Sequence, residues 1–480
     1  LNFATRPRAE GTFLTCHNPL LTGASMRRSV LAVSALLILA LSVLLPMALS
    51  APKRQLRIIT PHWEGIRYEY KLAFEKWYKE KFGEEVEVIF DAPGGTGVCV
   101  RAIEDWFKTH KESQWDIFWG GGVDPYIKLK EEGLLTPFRP EEDPELAEIL
   151  AKIPDNIGGI PMYDKDDYMW FGTALSGFGI IYNKEALKRF KLPEPAAWED
   201  LVDPRMFGWV SSADPSRSGS THMCYEIMLQ AYGWERGWEI ITLMGANIRS
   251  FPEHSSAIPE MVAAGEALYG LAIDFYAWSQ IAKVGAERIG YVLPEGLTVI
   301  NPDSIAILKN PPDLELAKIF VKFVLSEKGQ KLWMLPAGDP EGPVKYTLGR
   351  MCVIPELYDK LAGRSIVPLN PFKVKAVLKY DPEKGSKRWS LVNDMFHALI
   401  IDTHDKLVAA WKKLVDSYGK VPMEVFLKAY IELTKVPVTE DEALAMAENW
   451  KDPEFRNKMI SEWRSFAEAK YSKVLEILGG

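Results

Sequence analysis

The sequence predicts an α/β protein with two lobes facing each other across a cleft, followed by a helical C-terminal part. Three observations lead there. Strand-like runs, glycine-rich or polar loops and amphipathic helical runs follow one another in that order from residue 55 to 130. The same order returns after residue 170. From about 345 onward the glycine loops stop and charged helical patterns take over. The composition fits this picture. The 480 residues are 47% hydrophobic and 25% charged, with a net charge of −8, as in ordinary soluble domains long enough to bury more than one core. A disordered chain and a disulfide-knot scaffold are excluded. With no basic surplus to neutralise phosphates, a dedicated nucleic-acid binder is excluded too.

The N-terminal region has the pattern of an address. Arg27 and Arg28 precede an apolar stretch from Val30 to Leu45, and Ala48 and Ser50 place small residues at a cleavage site. Residues 26–50 are therefore expected to be a secretory signal peptide, the alternative being an uncleaved anchor. Residues 1–25 are expected to be an over-extended start. The remainder is expected to lie outside the cytoplasmic membrane, secreted or at the cell surface. It carries Cys99, Cys224 and Cys352, an odd number that permits one bridge at most. No CxxC spacing supports a zinc or thioredoxin-like site.

Taken in order, Leu56–Thr60 is a strand, Pro61–Gly65 a loop, and 66–82 a helix with Tyr70, Phe74, Trp77 and Tyr78 at helical spacing. Val86–Phe90 alternates as a strand and ends in Pro93–Gly97, before a helix. Trp115–Trp119 ends in Gly120–Gly122, before another helix. All three loops therefore sit at the carboxyl ends of strands, the edge where parallel α/β sheets bind ligands. In the second half, Gly208–Ser212 runs into a serine-rich loop at 214–221, Arg249–Phe251 into His254–Ser256, and Tyr269–Ile273 into Asp274–Trp278. A return strand is expected within 293–308 and a helix over 314–334, packing back on the first lobe. Residues 392–414 and 441–478 read as helices.

These motifs are similar to those of the extracellular solute-binding proteins of ABC importers, in the branch usually labelled ferric iron-type. The resemblance is carried by GGTG after the second strand, DIFWGGG, SGFGIIYNK at 176–184, SADPSRSGSTHMCYEIMLQAYGWERGW, FPEHSSAIPEMVAAGEA, LAIDFYAW and FVKFVLSEKGQKLW at 320–333. It covers roughly residues 55–350 and implies the two-lobe type II periplasmic-binding-protein fold, closing on a solute by a hinge. The expected divisions are 55–160 with 295–345 as lobe 1, 161–294 as lobe 2, and 346–480 as a helical extension packing on lobe 2. The implied partners are a small-molecule solute and the permease subunits of an importer. A monomer without cofactor or enzymatic activity is expected.

The candidate ligand-binding residues come from the cleft loops: His62, Trp63 and Glu64; Gly95, Thr96 and Gly97; Gly121 and Gly122; Ser176; Ser216, Arg217, Ser218, Gly219 and Ser220; Ser255 and Ser256; and Asp274 with Tyr276. Glycines admit a ligand close to the backbone, and helix N-termini favour anions. The 216–221 loop offers hydroxyls, a guanidinium and a helix start together, although Ser216 or Ser218 alone would serve as a simple cap. This chemistry suits a small polar or anionic solute carrying a phosphate, phosphonate or carboxylate. Trp63 and Trp278 could instead stack a neutral sugar. Ferric iron is the alternative. Relatives of the branch bind it through adjacent tyrosines where this chain has Phe275 and Tyr276, which leaves Tyr276 and Glu64 as possible ligands. A secreted hydrolase is the alternative from another class, but no GxSxG or HExxH motif occurs.

Overall fold

A computed structural model describes residues 53–374 and 378–479. The expected signal peptide and the segment before it lie outside the described residues. The three expected βα units are β1 (Arg54–Ile59), α1 (Glu64–Phe82), β2 (Val86–Asp91), α2 (Thr96–Phe107), β3 (Ile117–Trp119) and α3 (Val123–Glu131). After them come β4 (Leu135–Thr136), α4 (Pro144–Leu150), the hairpin β5 (Asn156–Ile157) and β6 (Ile160–Pro161), and the long strand β7 (Phe171–Asn183). The second lobe holds α5 (Lys184–Phe190), β8 (Val210–Ser211), α6 (Gly219–Tyr232), α7 (Trp234–Asn247), β9 (Ile248–Ser250), α8 (Ala257–Ala264), β10 (Tyr269–Ile273), α9 (Asp274–Val284) and β11 (Ile289–Val292). Strand β12 (Ile300–Leu308) then returns to the first lobe, where α10 (Leu314–Leu325) and α11 (Glu327–Met334) pack. The single helix expected over 314–334 is two, because Ser326 leaves the helical path and its hydroxyl caps the second helix at Gly329.

The strands follow the order β2-β1-β3-β12-β7-β10-β8-β9, with β11 beside β7 and β4 beside β12. β1 and β3 are parallel, as are β8, β9 and β10. The two long strands β7 and β12 run antiparallel to each other and link the lobes. All 13 residues of β7 are buried, so both of its faces are covered. The β7–β12 register shifts between Asp303 and Ser304. The shift skips Thr173 of β7, opposite the stretch of β12 where Asp303 lines the cleft.

Beyond the lobes lie α12 (Glu356–Lys360), α13 (Pro382–Phe396), a π turn at His397–Ile401, α14 (His404–Ser417), α15 (Met423–Thr434), α16 (Glu440–Ala447) and α17 (Pro453–Ile477). Asp381, Thr439 and Asp452 cap α13, α16 and α17, and Glu442 completes a capping box with Thr439. Not all of the segment from 346 packs on the second lobe, as the sequence suggested. Leu348, Met351, Val353 and Leu357 join the first-lobe core with Leu56, Tyr70, Trp119 and Trp333. Met351 also bridges to Leu175 of β7. The later helices share a core with both lobes, in which Trp389, Trp411 and Trp463 pack together with Trp234 and Trp238 of α7 and with Ile103 and Tyr126 of α2 and α3. Cys99, Cys224 and Cys352 are buried and unbridged. Among the described residues, no helix is long and apolar enough to cross a membrane.

Candidate functional site

The loops at the carboxyl ends of β1, β2 and β3 meet those before α6, α8 and α9 around a cleft of about 340 Å3, at the small end of the range for ligand sites. Of the residues singled out from sequence, His62, Trp63, Gly95, Thr96, Gly121, Gly122, Ser176, Arg217, Ser218, Gly219, Ser220, Ser255, Ser256 and Tyr276 line it. Glu64, Gly97, Ser216 and Asp274 do not. Glu64 is exposed and lies 3.5 Å from the Tyr346 hydroxyl. Gly97 lies against the Ser216 carbonyl, where the two lobes touch. Asp274 is buried behind the cleft wall, accepting the Gly177 and Phe275 amides at 2.7 Å each. It therefore pins α9 to β7. Trp278 is not part of the lining either.

The lobes are in contact. A Cβ added at Gly95 would sit 1.7 Å from the Arg217 carbonyl oxygen, so only glycine admits this approach. Arg101 of α2 donates to the Ser216 carbonyl at 3.1 Å. The glycine loop after β2 thus serves lobe contact as well as lining the cleft. In the opposite wall, Ser218 caps α6 through the Thr221 amide, and the hydroxyls of Ser218, Ser220 and Ser255 form a chain at 3.2 and 2.8 Å. Arg217 is half exposed at the rim and paired with Glu253 at 2.6 Å.

The floor was not foreseen. Arg350, 1% exposed, pairs with Asp303 and donates to the Ser176 hydroxyl at 2.7 Å. Its guanidinium lies over the Phe275 ring, 4.4 Å from the centroid. Asp303 also accepts the Gly121 amide at 2.6 Å and lies 3.1 Å from His62 Nε2. Burial pushes the Asp303 carboxyl up, but Arg350 and His62 outweigh it and hold it at about 2. Burial lowers His62 despite the nearby Asp303. Beside this pair stands Arg67, in the first turns of α1, which has no ion-pair partner among the described residues. Four buried polar atoms in cleft-lining residues lack any partner: His62 Nδ1, Trp63 Nε1, Arg67 Nε and Arg350 Nε. The sequence held one usable signal, the polar Asn301, Asp303 and Ser304 within an otherwise apolar strand. Nothing local marks Arg350 or Arg67.

The helix starts add to this. The residues preceding α1, α2, α3 and α8 at the cleft (Trp63, Gly95, Gly122 and Ser256) make no side-chain cap. Asp, Asn, Ser or Thr caps α4, α5, α10, α11, α13, α16 and α17, while α7, α12, α14 and α15, away from the cleft, also lack a side-chain cap. An uncapped helix N-terminus presents amide donors and partial positive charge. Of the expected iron pair, Tyr276 reaches the cleft and Glu64 does not. No three His, Cys, Asp or Glu side chains cluster among the described residues.

Residues 116–340 match the family of bacterial extracellular solute-binding proteins, a family of binding proteins rather than enzymes. The phosphoglycerate transport regulatory protein PgtC of Salmonella typhimurium is 28% identical over 295 residues, covering 60% of this chain and 67% of that protein. The periplasmic binding protein AfuA of Actinobacillus pleuropneumoniae, solved with exogenous fructose 6-phosphate, is 21% identical. That match covers 75% of this chain and 98% of AfuA, with a TM-score of 0.56. Iron-bound HitA of Pseudomonas aeruginosa is 19% identical, covering 71% and 98%, with a TM-score of 0.53. The solved structures show the fold, and the resemblance drawn from the motifs is borne out in it. The chain has the type II periplasmic-binding fold, and C-terminal helices are present.

Proposed function

We propose that this extracellular solute-binding protein is the extracytoplasmic receptor of an ABC importer, and that it captures a small organic anion bearing a phosphate or carboxylate and presents it to the permease. The observation that carries this reading is Arg67, a cation lining the cleft without a carboxylate partner among the described residues. The other two cleft arginines are neutralised by Asp303 and Glu253, so a bound anion would find one uncompensated charge. Trp63 Nε1 and Arg350 Nε are further donors awaiting acceptors, and a buried donor left unpaired is costly. The uncapped starts of α1, α2, α3 and α8 favour the same sign of charge. The hydroxyl chain from Ser218 to Ser255 suits the polar remainder of such a solute. The relatives named for phosphoglycerate transport and solved with fructose 6-phosphate support the phosphate-bearing class. Contact between the lobes fits a receptor whose closed state a ligand selects. We infer a binding role without catalysis and a monomeric receptor.

The test is thermal unfolding of the full chain against 3-phosphoglycerate, fructose 6-phosphate, inorganic phosphate, dicarboxylates, neutral sugars and ferric citrate. A ligand present at one hundred times its dissociation constant adds about 2.7 kcal/mol to stability, a shift of several degrees. Stabilisation by a phosphorylated or carboxylated compound, lost in Arg67→Ala, is the expected result. Stabilisation by ferric citrate alone would overturn the proposal in favour of iron.

A further inference from the structure

We propose that His397, carried by the π turn of the C-terminal extension, is a positioning residue of the solute site: it holds Asp214, and through Asp214 the loop that presents Ser218, Ser220 and the start of α6 to the cleft. The inference rests on the receptor reading above, because it assigns a role toward the same cleft. It goes beyond that reading by making the C-terminal helices part of the binding apparatus. The family match covers residues 116–340, which include Asp214 but not His397.

The geometry is a chain of hydrogen bonds. His397 Nε2 lies 2.9 Å from Asp214 Oδ1 and 3.3 Å from the Ser216 hydroxyl. Asp214 organises the loop from within. Its Oδ1 accepts the Ser216 amide at 2.8 Å, and its carbonyl accepts the Arg217 and Ser218 amides at 3.1 and 3.0 Å. Ser218 in turn caps α6. The Ser216 carbonyl receives Arg101 from the first lobe, so the same loop forms the interlobe contact. His397 touches no lining residue of the cleft directly and acts through Asp214. π turns inside helical runs recur at functional sites.

The charged groups facing His397 are named readily. Asp214 comes from the second lobe. Asp402, 3.7 Å from Nδ1, and Asp394 lie on its own helical run. Arg464 and Arg456 of α17 pair with those two acids. Burial lowers the imidazole, but Asp214, Asp402 and Asp394 outweigh it and raise His397 above its ordinary value of 6.5. The charged contact is therefore complete in acid. It weakens to a neutral hydrogen bond as pH rises through the raised value.

The test is amide hydrogen exchange on the full, unliganded chain at pH 6 and pH 9, corrected for intrinsic rates. The peptide covering 212–221 is compared with one from α1. In the wild type the loop should lose protection at pH 9 while α1 does not. His397→Ala should speed loop exchange about tenfold at pH 6. His397→Gln, which places an amide donor near the position of Nε2, should restore protection and abolish its pH dependence. Affinity for whichever of 3-phosphoglycerate, fructose 6-phosphate or inorganic phosphate binds the wild type should fall about tenfold in the alanine variant and recover in the glutamine variant. Equal loop protection in wild type at both pH values, unchanged exchange in His397→Ala, or a glutamine variant no better than alanine would overturn the proposal. If none of the three phosphates binds the wild type, the phosphate reading of the solute fails while the exchange measurements still decide the role of His397.

Discussion

At the scale of single residues, two buried acids beside the cleft respond to pH with opposite signs. Asp303 is held at about 2, below its ordinary 3.8. The stability it supplies is therefore whole above pH 4 and is lost as pH falls through about 2. Asp303→Asn should be less stable than wild type at pH 7 and approach it at pH 2, measured as urea unfolding across pH. Asp274 runs the other way. Burial raises it to about 7 despite the amides of Gly177 and Phe275 and the charge of Arg350. The folded chain thus keeps a proton there between pH 4 and 7 that the unfolded chain releases, and stability declines as pH rises through that window. Asp274→Asn should flatten this decline, giving a variant that gains on wild type between pH 5 and 8. Arg350→Ala would leave Asp303 buried without its guanidinium partner. Removing one partner of such a pair destabilises by about 3–5 kcal/mol, which denaturant unfolding would register.

At the scale of elements, the loops and helix starts were legible in the sequence, because the turn and capping chemistry of glycine and serine is local. Which of them face a solute and which face the opposite lobe was not readable. Gly95 does both, lying under the Arg217 carbonyl at the cleft's edge. Gly95→Ala should hold the lobes apart, because the new Cβ has no room beside that oxygen. Small-angle scattering of the unliganded chain should then give a larger radius of gyration than wild type, and affinity for the bound anion should drop. An unchanged radius would mean that the loop yields locally. Asp303 was missed for a related reason: the partners that give it a role, Arg350 and His62, lie 47 and 241 residues away in the chain.

At the scale of the molecule, the C-terminal helices tie the two lobes together. Arg388 of α13 makes a fully buried bidentate pair with Glu226 of α6, in the second lobe. The same segment reaches α3 in the first lobe, where the Tyr380 hydroxyl donates to Asp124 at 2.5 Å. Lys451 pairs with Glu132 at 2.9 Å, again in the first lobe. Gly385 allows the approach, since a Cβ there would lie 2.3 Å from an Asp124 carboxylate oxygen. Gly385→Ala should therefore loosen α13 from α3. Spin labels placed one on each lobe should report a broader and longer distance distribution than in wild type, with a lower unfolding temperature. A distribution as narrow as wild type would show that the extension does not restrain the lobes.

The sequence by itself determined the α/β character, the three βα units with their loops on one edge, the return strand and the helical nature of the C-terminal part. Each of these is written in local periodicity and turn chemistry, which a window of a dozen residues contains. The tertiary structure alone decided the floor of the cleft and the place of the extension. Arg350 meets Asp303 across 47 residues and His62 across 288, and His397 meets Asp214 across 183. Pairings at such separations leave no pattern in neighbouring residues. They exist because β7 and β12 carry the chain back and forth between the lobes, and because the last helices bury their apolar faces against both.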